Sequence, residues 1–451
     1  MIYGDPTTTR RGQQMETDEP RGKVAVVKYD GTLNALKWAI ELSGGFEELR
    51  PDHKILLKPN ILWGGTKKLP PFGVVTTSAI VGHLLQLLHD QGCKDITIGE
   101  GTIPNKEMGS STHKGYEWSG IGKVAKRYGA KLVDFNSGPF EEVQLDSIRV
   151  RITRWALESD FLINLPVLKA HRQTKVSLGM KNLKGCLAIE SKKKFHKHDI
   201  ARLIALLNTK IKTSLTIIDG IYAMERGPDF LGTSHRTNLL IAGRDVFSCD
   251  IVGAEAMGIR PEEVDYLKEF SSIAGRSLSL DAIEVKGETL KEITRPLEWR
   301  LSIADIFHQA GIQGIIVQDT DPSCCSGCVA ILSAFCGVFC KDNPGMVLDG
   351  LEICMGGKVR AKKESKKVFL LGNCAIAANK DFKDGIKIKG CPPPILDTVM
   401  SIVLKSLPKK RAAKILMSRM IKNIGIKLGI YDEAFPAFGV YKPPEFDRSH
   451  F

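Results

Sequence analysis

Two sets of side chains in this chain have the types and spacing to do chemistry. The first is basic. Lys169 and His171 stand two residues apart after the apolar run Phe161 to Leu165 and Pro166, so in extended chain they share a face. Just downstream, Ser177, Lys181 and Lys184 recur beside the apolar stripe Val176, Met180 and Leu183. That spacing predicts a helix from about Lys175 to Lys184. Lysines and a histidine gathered where a strand feeds a helix suit an anionic ligand. The lysines attract it, the imidazole can move a proton near neutral pH, and a helix N-terminus adds free N–H groups. The same pattern also describes a solvated helix face beside a basic loop. Gly179, Asn182 and Gly185 favour the site, because they permit close backbone approach.

The second set is sulfur. Eight of the 11 cysteines lie between Cys324 and Cys391. A Cys-x-x-Cys at Cys325 and Cys328 is followed by Gly-Asn-Cys at Cys374 and Gly-Cys-Pro-Pro at Cys391. Thiolates presented from turns bounded by glycine and proline suit cluster ligation. Cys325, Cys328, Cys374 and Cys391 are therefore the expected ligands of a [4Fe–4S] cluster, with four-thiolate zinc as the alternative. Adjacent Cys324 and Cys325 cannot both aim at one site in extended chain; Cys325 is preferred because it completes the Cys-x-x-Cys. Cys336, Cys340 and Cys354 sit in apolar surroundings and read as buried small hydrophobes. The Gly-Cys-Pro-Pro ending is also locally similar to the last ligand loop in the cluster-bearing small subunit of quinone-reducing respiratory complexes.

Strands alternating with helices must position both sets. Val24 to Tyr29, Ile55 to Asn60, Ile96 to Gly101, Lys131 to Phe135, Phe161 to Leu165, Ser214 to Ile218 and Leu239 to Ala242 read as strands. Between them, Leu33 to Leu42, Thr76 to Gln91, Gly120 to Tyr128 and Asp199 to Asn208 read as helices, as do two later segments near Asp250 and Pro261. Lys192 to His198 reads as a basic loop. The predicted fold is α/β, a mostly parallel sheet with helices on both faces, plus a smaller C-terminal cysteine-rich module. In such a sheet the carboxyl ends of the strands face one crevice. Lys58, Asn60, Lys169, His171, Lys181, Asn182 and Asp219 are expected to line it. A composition shift between Leu280 and Trp299 divides the chain into a disordered leader (1–21), a core domain (22–285), a cysteine module (286–394) and a helical segment with an irregular tail (395–451).

The strings INLPVLKAH (Ile163 to His171) and KVSLGMKNLKG (Lys175 to Gly185) resemble the signature of the domain-of-unknown-function 362 family. The Lys58-Pro59-Asn60 segment resembles that family's early motif, and Asp219-Gly220-Ile221 with Met224 to Pro228 resembles a later one. The spacing of Asp245 and Asp250 is family-like too, although each aspartate alone reads as a helix cap or turn residue. The resemblance covers most of the chain and implies the α/β core. It also implies a histidine near His198, for which His196 is an equal candidate. Many members carry a ferredoxin insert of repeated cysteines; this chain departs from them there, so its spacing supports a single cluster.

The net charge of +13 favours anionic partners, while 43% apolar and 25% charged residues describe an ordinary globular chain. Aromatics are sparse and no nucleic-acid motif appears, so nucleic acid is not an expected partner. No run is long enough to span a membrane, and a cytoplasmic location is expected. Peripheral membrane contact through the basic segment after Ile395 is a lesser expectation. No Walker loop, dinucleotide fingerprint or nucleophile elbow is present, which disfavours ATPase, nicotinamide dehydrogenase and hydrolase readings. The leading expectation is an iron–sulfur oxidoreductase acting on an anionic small molecule, with His171 and Lys169 catalytic and a redox partner protein. A non-redox lyase or isomerase with a structural metal site, and an electron carrier without chemistry of its own, are the other two readings.

Overall fold

The computed structural model describes residues 22–64, 71–104, 109–227, 232–300, 302–319, 321–417 and 446–451. The expected leader, Pro228, and residues 418–445 of the C-terminal segment lie outside these.

Sixteen strands are described. The first twelve are β1 (Gly22–Lys28), β2 (Ile55–Pro59), β3 (Ile96–Glu100), β4 (Lys131–Asp134), β5 (Phe140–Leu145), β6 (Ile148–Thr153), β7 (Phe161–Leu165), β8 (Val167–His171), β9 (Lys175–Ser177), β10 (Leu215–Glu225), β11 (Thr233–Gly243) and β12 (Ile283–Gly287). Ten of them form one sheet in the order β12-β1-β11-β10-β7-β2-β3-β4, with β8 alongside β10 and β9 on β8. β5 and β6 make a separate hairpin. The sheet is mostly parallel, antiparallel only where β11 meets β1 and β10 and where β9 meets β8. Every residue of β2, β3 and β7 is buried. That is why they read as continuous apolar runs: helices cover both faces, and one apolar core lies on each side.

β12 pairs with β1, so the large sheet closes at Gly287, slightly beyond the expected boundary. The remaining strands, β13 (Gln313–Gln318), β14 (Val347–Met355), β15 (Lys367–Leu371) and β16 (Ile386–Ile388), form a second, wholly parallel sheet. The helices Ser326–Asp342 and Ile395–Ser406 pack on it around a third core. Residues 446–451 return to the large sheet. Phe446 and Phe451 stack on Tyr222, and the Tyr222 hydroxyl is 2.9 Å from His450 Nδ1. The tail expected to be irregular thus makes a short 3-10 turn at Arg448–His450.

Three local expectations need correction. The helix expected from Lys175 is instead β9, hairpinned against β8 so that Lys169 faces Ser177, followed by short helical turns at Gly179–Asn182 and Leu183–Cys186. Edge pairing to β8 outweighed the apolar stripe there. The basic loop expected from Lys192 is the end of a helix, Ile189–Phe195. Asp219 is not at a strand end, because β10 runs on to Glu225. Its carboxylate, 1% exposed, accepts the Thr77 N–H (2.7 Å), the Thr77 hydroxyl (2.8 Å) and the Ile221 N–H (3.1 Å). It fixes the entry to the helix Ser78–Asp90. Asp219→Ala strands these buried donors, so urea unfolding should show a loss of about 2 kcal/mol. Phosphate affinity should stay unchanged.

Candidate active site

At the carboxyl ends of β2, β3 and β7 the chain builds a closed polar network. Lys58, fully buried, donates to Glu100 Oε2 (2.6 Å), to the Pro59 carbonyl (2.9 Å) and to Asn182 Oδ1 (3.2 Å). Glu100 also accepts the Ile61 and Gly101 N–H groups. Asn182 Oδ1 accepts a second bond from Asn60 Nδ2 (3.0 Å), and its own Nδ2 donates to Asn164 Oδ1 (2.8 Å). Asn60 Oδ1 in turn accepts from Lys169 Nζ (2.6 Å), which also donates to the Val74 carbonyl (2.7 Å). Gly185 lies directly over the ion pair: a Cβ there would stand 2.3 Å from Glu100 Oε1 and 2.5 Å from Lys58 Nζ. Lys58 on β2, Asn60 just past it, Lys169 on β8 and Asn182 on the Gly179–Asn182 turn thus share one hydrogen-bonded network. They satisfy one another, however, and form the floor of a site rather than its open surface.

Asp250 holds that floor from behind. It reaches out of the helix Val246–Ala256 to accept the Gly179 N–H (2.6 Å), the Met180 N–H (3.0 Å) and the Tyr266 hydroxyl (2.9 Å). Asp245 caps its own helix through the Ser248 N–H. Asp245 is thus the helix cap expected of it, whereas Asp250 lies inside its helix and instead holds the N-terminus of the Gly179–Asn182 turn.

Above the floor lies a cationic set. Lys181 donates to Ser177 Oγ (3.1 Å), Lys184 Nζ is 3.0 Å from His196 Nε2, and Lys192 donates to the Gly101 carbonyl. Lys181, Lys184 and Lys192 are half-buried, and His196 is exposed. Burial, followed by the charges of Lys184 and Lys169, pushes the Lys181 ammonium well below its ordinary value. Burial and Lys192 bring Lys184 to about 7, against an opposing pull from Cys325. Burial, with Lys184 and Lys181, lowers His196 to about 3. The neighbours that shift Lys181, Lys184 and His196 are cations and one thiol; among the described residues no carboxylate is one of them.

His171, Arg172 and Gln173 tie this cleft to the cysteine module. Burial first, then Lys181 and Lys184, holds His171 neutral. The Gln173 N–H donates to His171 Nδ1 (3.1 Å), so the ring proton is on Nε2, 3.3 Å from Ser326 Oγ inside the Cys-x-x-Cys. Arg172 and Asp319 form a buried ion pair at 3.2 Å, and Gln173 Nε2 donates to the Pro322 carbonyl (3.3 Å). Three consecutive side chains thus grip Asp319, Pro322 and Ser326.

Beyond that grip the four expected cysteines lie in one neighbourhood. The Cys328 thiol and the Cys328 and Gly327 N–H groups bond Cys325 and draw it down to about 6. Asn373 N donates to the Gly390 carbonyl and Gly390 N to Asn373 Oδ1, both at 2.9 Å, which locks the Cys374 and Cys391 turns together. Cys374 is raised by burial and then by the charges of Cys391 and Cys325. Glycines leave room for the sulfurs: a Cβ on Gly372, whose φ is +90°, would stand 2.9 Å from Cys328 Sγ. Among the described residues, no three His, Cys, Asp or Glu side chains are gathered to hold a single ion. Cys324 turns away, 1% exposed, beside Arg172. Cys336, Cys340 and Cys354 are buried in apolar cores.

Asp219 and His198 are not part of this assembly: the first caps a turn, and the second is exposed beyond the cleft helix. Sequence reasoning missed Glu100, Asn164, Lys192 and Ser326 as site residues, and placed Lys184 in the basic set without assigning it a role. Glu100 announced itself by its flanking glycines: Gly101 donates its N–H to Glu100 and leaves room for Lys192 on its carbonyl, and Gly99 makes room for Phe135. Nothing in the local sequence pairs Arg172 with Asp319.

Asp250 gives a pH test of the floor. Burial pushes its carboxyl from 3.8 up to about 7. The folded state then keeps a proton that the unfolded chain has lost, so its contribution to stability falls as pH rises from about 4 to 7. Between pH 5 and 7.5 the native protein should lose on the order of 2 kcal/mol more stability than Asp250→Asn in parallel urea titrations. Equal slopes would mean that the carboxyl titrates normally.

Comparison with known proteins agrees with the signature strings. A thylakoid-associated protein of Synechocystis sp. is 28% identical over 239 residues, 51% of this chain and 72% of its own length. The lactate racemase apoprotein from Thermoanaerobacterium thermosaccharolyticum aligns with a TM-score of 0.33 and 16% identity over 51% of this chain; the chain spans 57% of that protein. The family model described as Domain of unknown function (DUF362) matches residues 55–255, which include Lys58, Glu100, Lys169, His171, Lys181, Asn182 and Asp250. Residues 55–255 of this chain form a domain of the DUF362 family.

Proposed function

We propose that this protein is an iron–sulfur oxidoreductase that binds an anionic small molecule in the lysine–histidine cleft, beside a [4Fe–4S] cluster held by Cys325, Cys328, Cys374 and Cys391. The observation that carries this reading is the contact between His171 Nε2 and Ser326, which sets the cleft against the Cys-x-x-Cys turn. Three features of the cysteine segments support this reading. Cys325 precedes the helix Ser326–Asp342 and Cys328 lies in its first turn, while Cys374 lies at the start of the helix Asn373–Ala378 instead of sitting in the expected turn. The Cys374 and Cys391 segments are reciprocally bonded, and a Cβ on Gly372 would stand 2.9 Å from Cys328 Sγ. Such a cluster, when bound, supplies electrons one at a time.

The remaining roles belong to the chain. Lys181 and Lys184 attract the anion. Neutral His171 presents its Nε2 proton toward the junction and is the proton donor of the site. Lys169 keeps Asn60, and through it Asn182 and the backbone of the lysine-bearing turn, in place. A redox partner protein would reach the cluster at the exposed Cys374 and Cys391. No helix among the described residues is long and apolar enough to cross a membrane; a cytoplasmic site of action is part of the proposal.

Anaerobic purification with iron, sulfide and zinc assays and a visible spectrum tests the reading. About four irons and four sulfides per chain and a brown chromophore are expected. Cys374→Ser and Cys391→Ser should each bleach it, while Cys354→Ser should not. Stoichiometric zinc without iron would overturn the oxidoreductase reading in favour of a structural metal site.

A further inference from the structure

We propose that the anion's seat is formed by Lys181, Lys184 and His196 with the hydroxyls of Ser177 and Ser326, and that it takes a doubly charged oxoanion, phosphoryl or dicarboxylate. This deepens the anion-cleft reading above and rests on it. The seat differs from the residues at the strand ends, since Lys58, Asn60, Lys169 and Asn182 already have their donors and acceptors matched. The cations above them do not. Lys184 Nζ lies against another nitrogen base, His196 Nε2 at 3.0 Å, and Lys181 has a single hydroxyl, Ser177 Oγ at 3.1 Å. Two ammonium groups and an imidazole are thus crowded at partly open positions, with the Cys325 thiol opposing the shift of Lys184 and no carboxylate acting on the set.

Such crowding is unfavourable unless opposite charge compensates it. One carboxylate would match only one of the two lysines. A dianion matches both, and its remaining oxygens can accept from His196 and from the Ser177 and Ser326 hydroxyls. Ser326 adds an asymmetry: His171 Nε2–H donates to it, so its own hydroxyl proton is free for an acceptor. The cleft opens where Lys181, Lys184 and His196 are solvent-reached, so a small molecule has access.

The test is calorimetry on the full chain, purified anaerobically, with inorganic phosphate, malonate and acetate at one ionic strength. Phosphate and malonate should each bind at least about tenfold more tightly than acetate. Lys184→Met and Lys181→Met should each weaken phosphate by about tenfold or more, Lys184→Arg should restore most of it, and Lys193→Met, exposed on the cleft helix, should change nothing. Far-ultraviolet circular dichroism on each variant checks the fold. Equal affinity for acetate, or phosphate binding untouched by both lysine variants, overturns the seat. The iron content and visible spectrum of the same samples separate the two proposals. Iron-free protein with the predicted anion pattern supports the seat and sinks the cluster, whereas a brown protein that ignores phosphate and malonate sinks the seat alone.

Discussion

The buried ion pair between Lys58 and Glu100, 2.6 Å long at the carboxyl ends of β2 and β3, constrains almost everything around it. Two charges removed from water in this way need further hydrogen bonds to every remaining donor and acceptor. The chain supplies them from the Pro59 carbonyl, the Ile61 and Gly101 N–H groups and Asn182. That requirement brings the Gly179–Asn182 turn down onto the sheet, and Gly185 is the residue type that lets the following turn pass within contact of both charges. With the turn fixed, Lys181 reaches Ser177 Oγ, and Lys184 reaches His196 Nε2 and feels the Cys325 thiol.

The junction between the two sheets uses a different device. His171, Arg172 and Gln173 follow one another at the end of β8 and contact Ser326, Asp319 and Pro322 in turn, Arg172 also bonding Cys324. The buried Arg172–Asp319 pair makes the arrangement specific, since losing either partner leaves a charge stranded. Asp319 also accepts the Ile303 N–H at the start of a helix of the second unit, so the same carboxylate orders both sides. The cleft and the cysteines are therefore held by one short segment. Charge in either place acts on the other, and such coupling is reciprocal.

Much of this was legible in the sequence for simple reasons. Parallel strands buried on both faces must be apolar throughout, so β2, β3 and β7 stand out, and the polar residues at their ends mark the crevice. Lys58 and Asn60 were found in that way, Lys169 by its place just past the run that ends at Pro166, and Asn182 by the glycines around it. The errors have physical causes too. Asp219 looked like a strand end because Gly220 follows it, but Gly220 sits at a bulge within β10, where the register shifts before Tyr222. The helix expected at Lys175 failed because an apolar stripe of three residues does not distinguish a helix from a short edge strand followed by a turn. Lys184, His196 and Ser326 come from three elements, and only the folded chain brings them together.

The central claim is that an anion in the cleft lies beside a cluster on the four cysteines. Electron–nuclear double resonance on the reduced protein with phosphate bound measures it directly. A resolved phosphorus hyperfine coupling is expected, and it should vanish in Lys184→Met. A reduced cluster signal with no phosphorus coupling, in protein saturated with phosphate, would contradict the account.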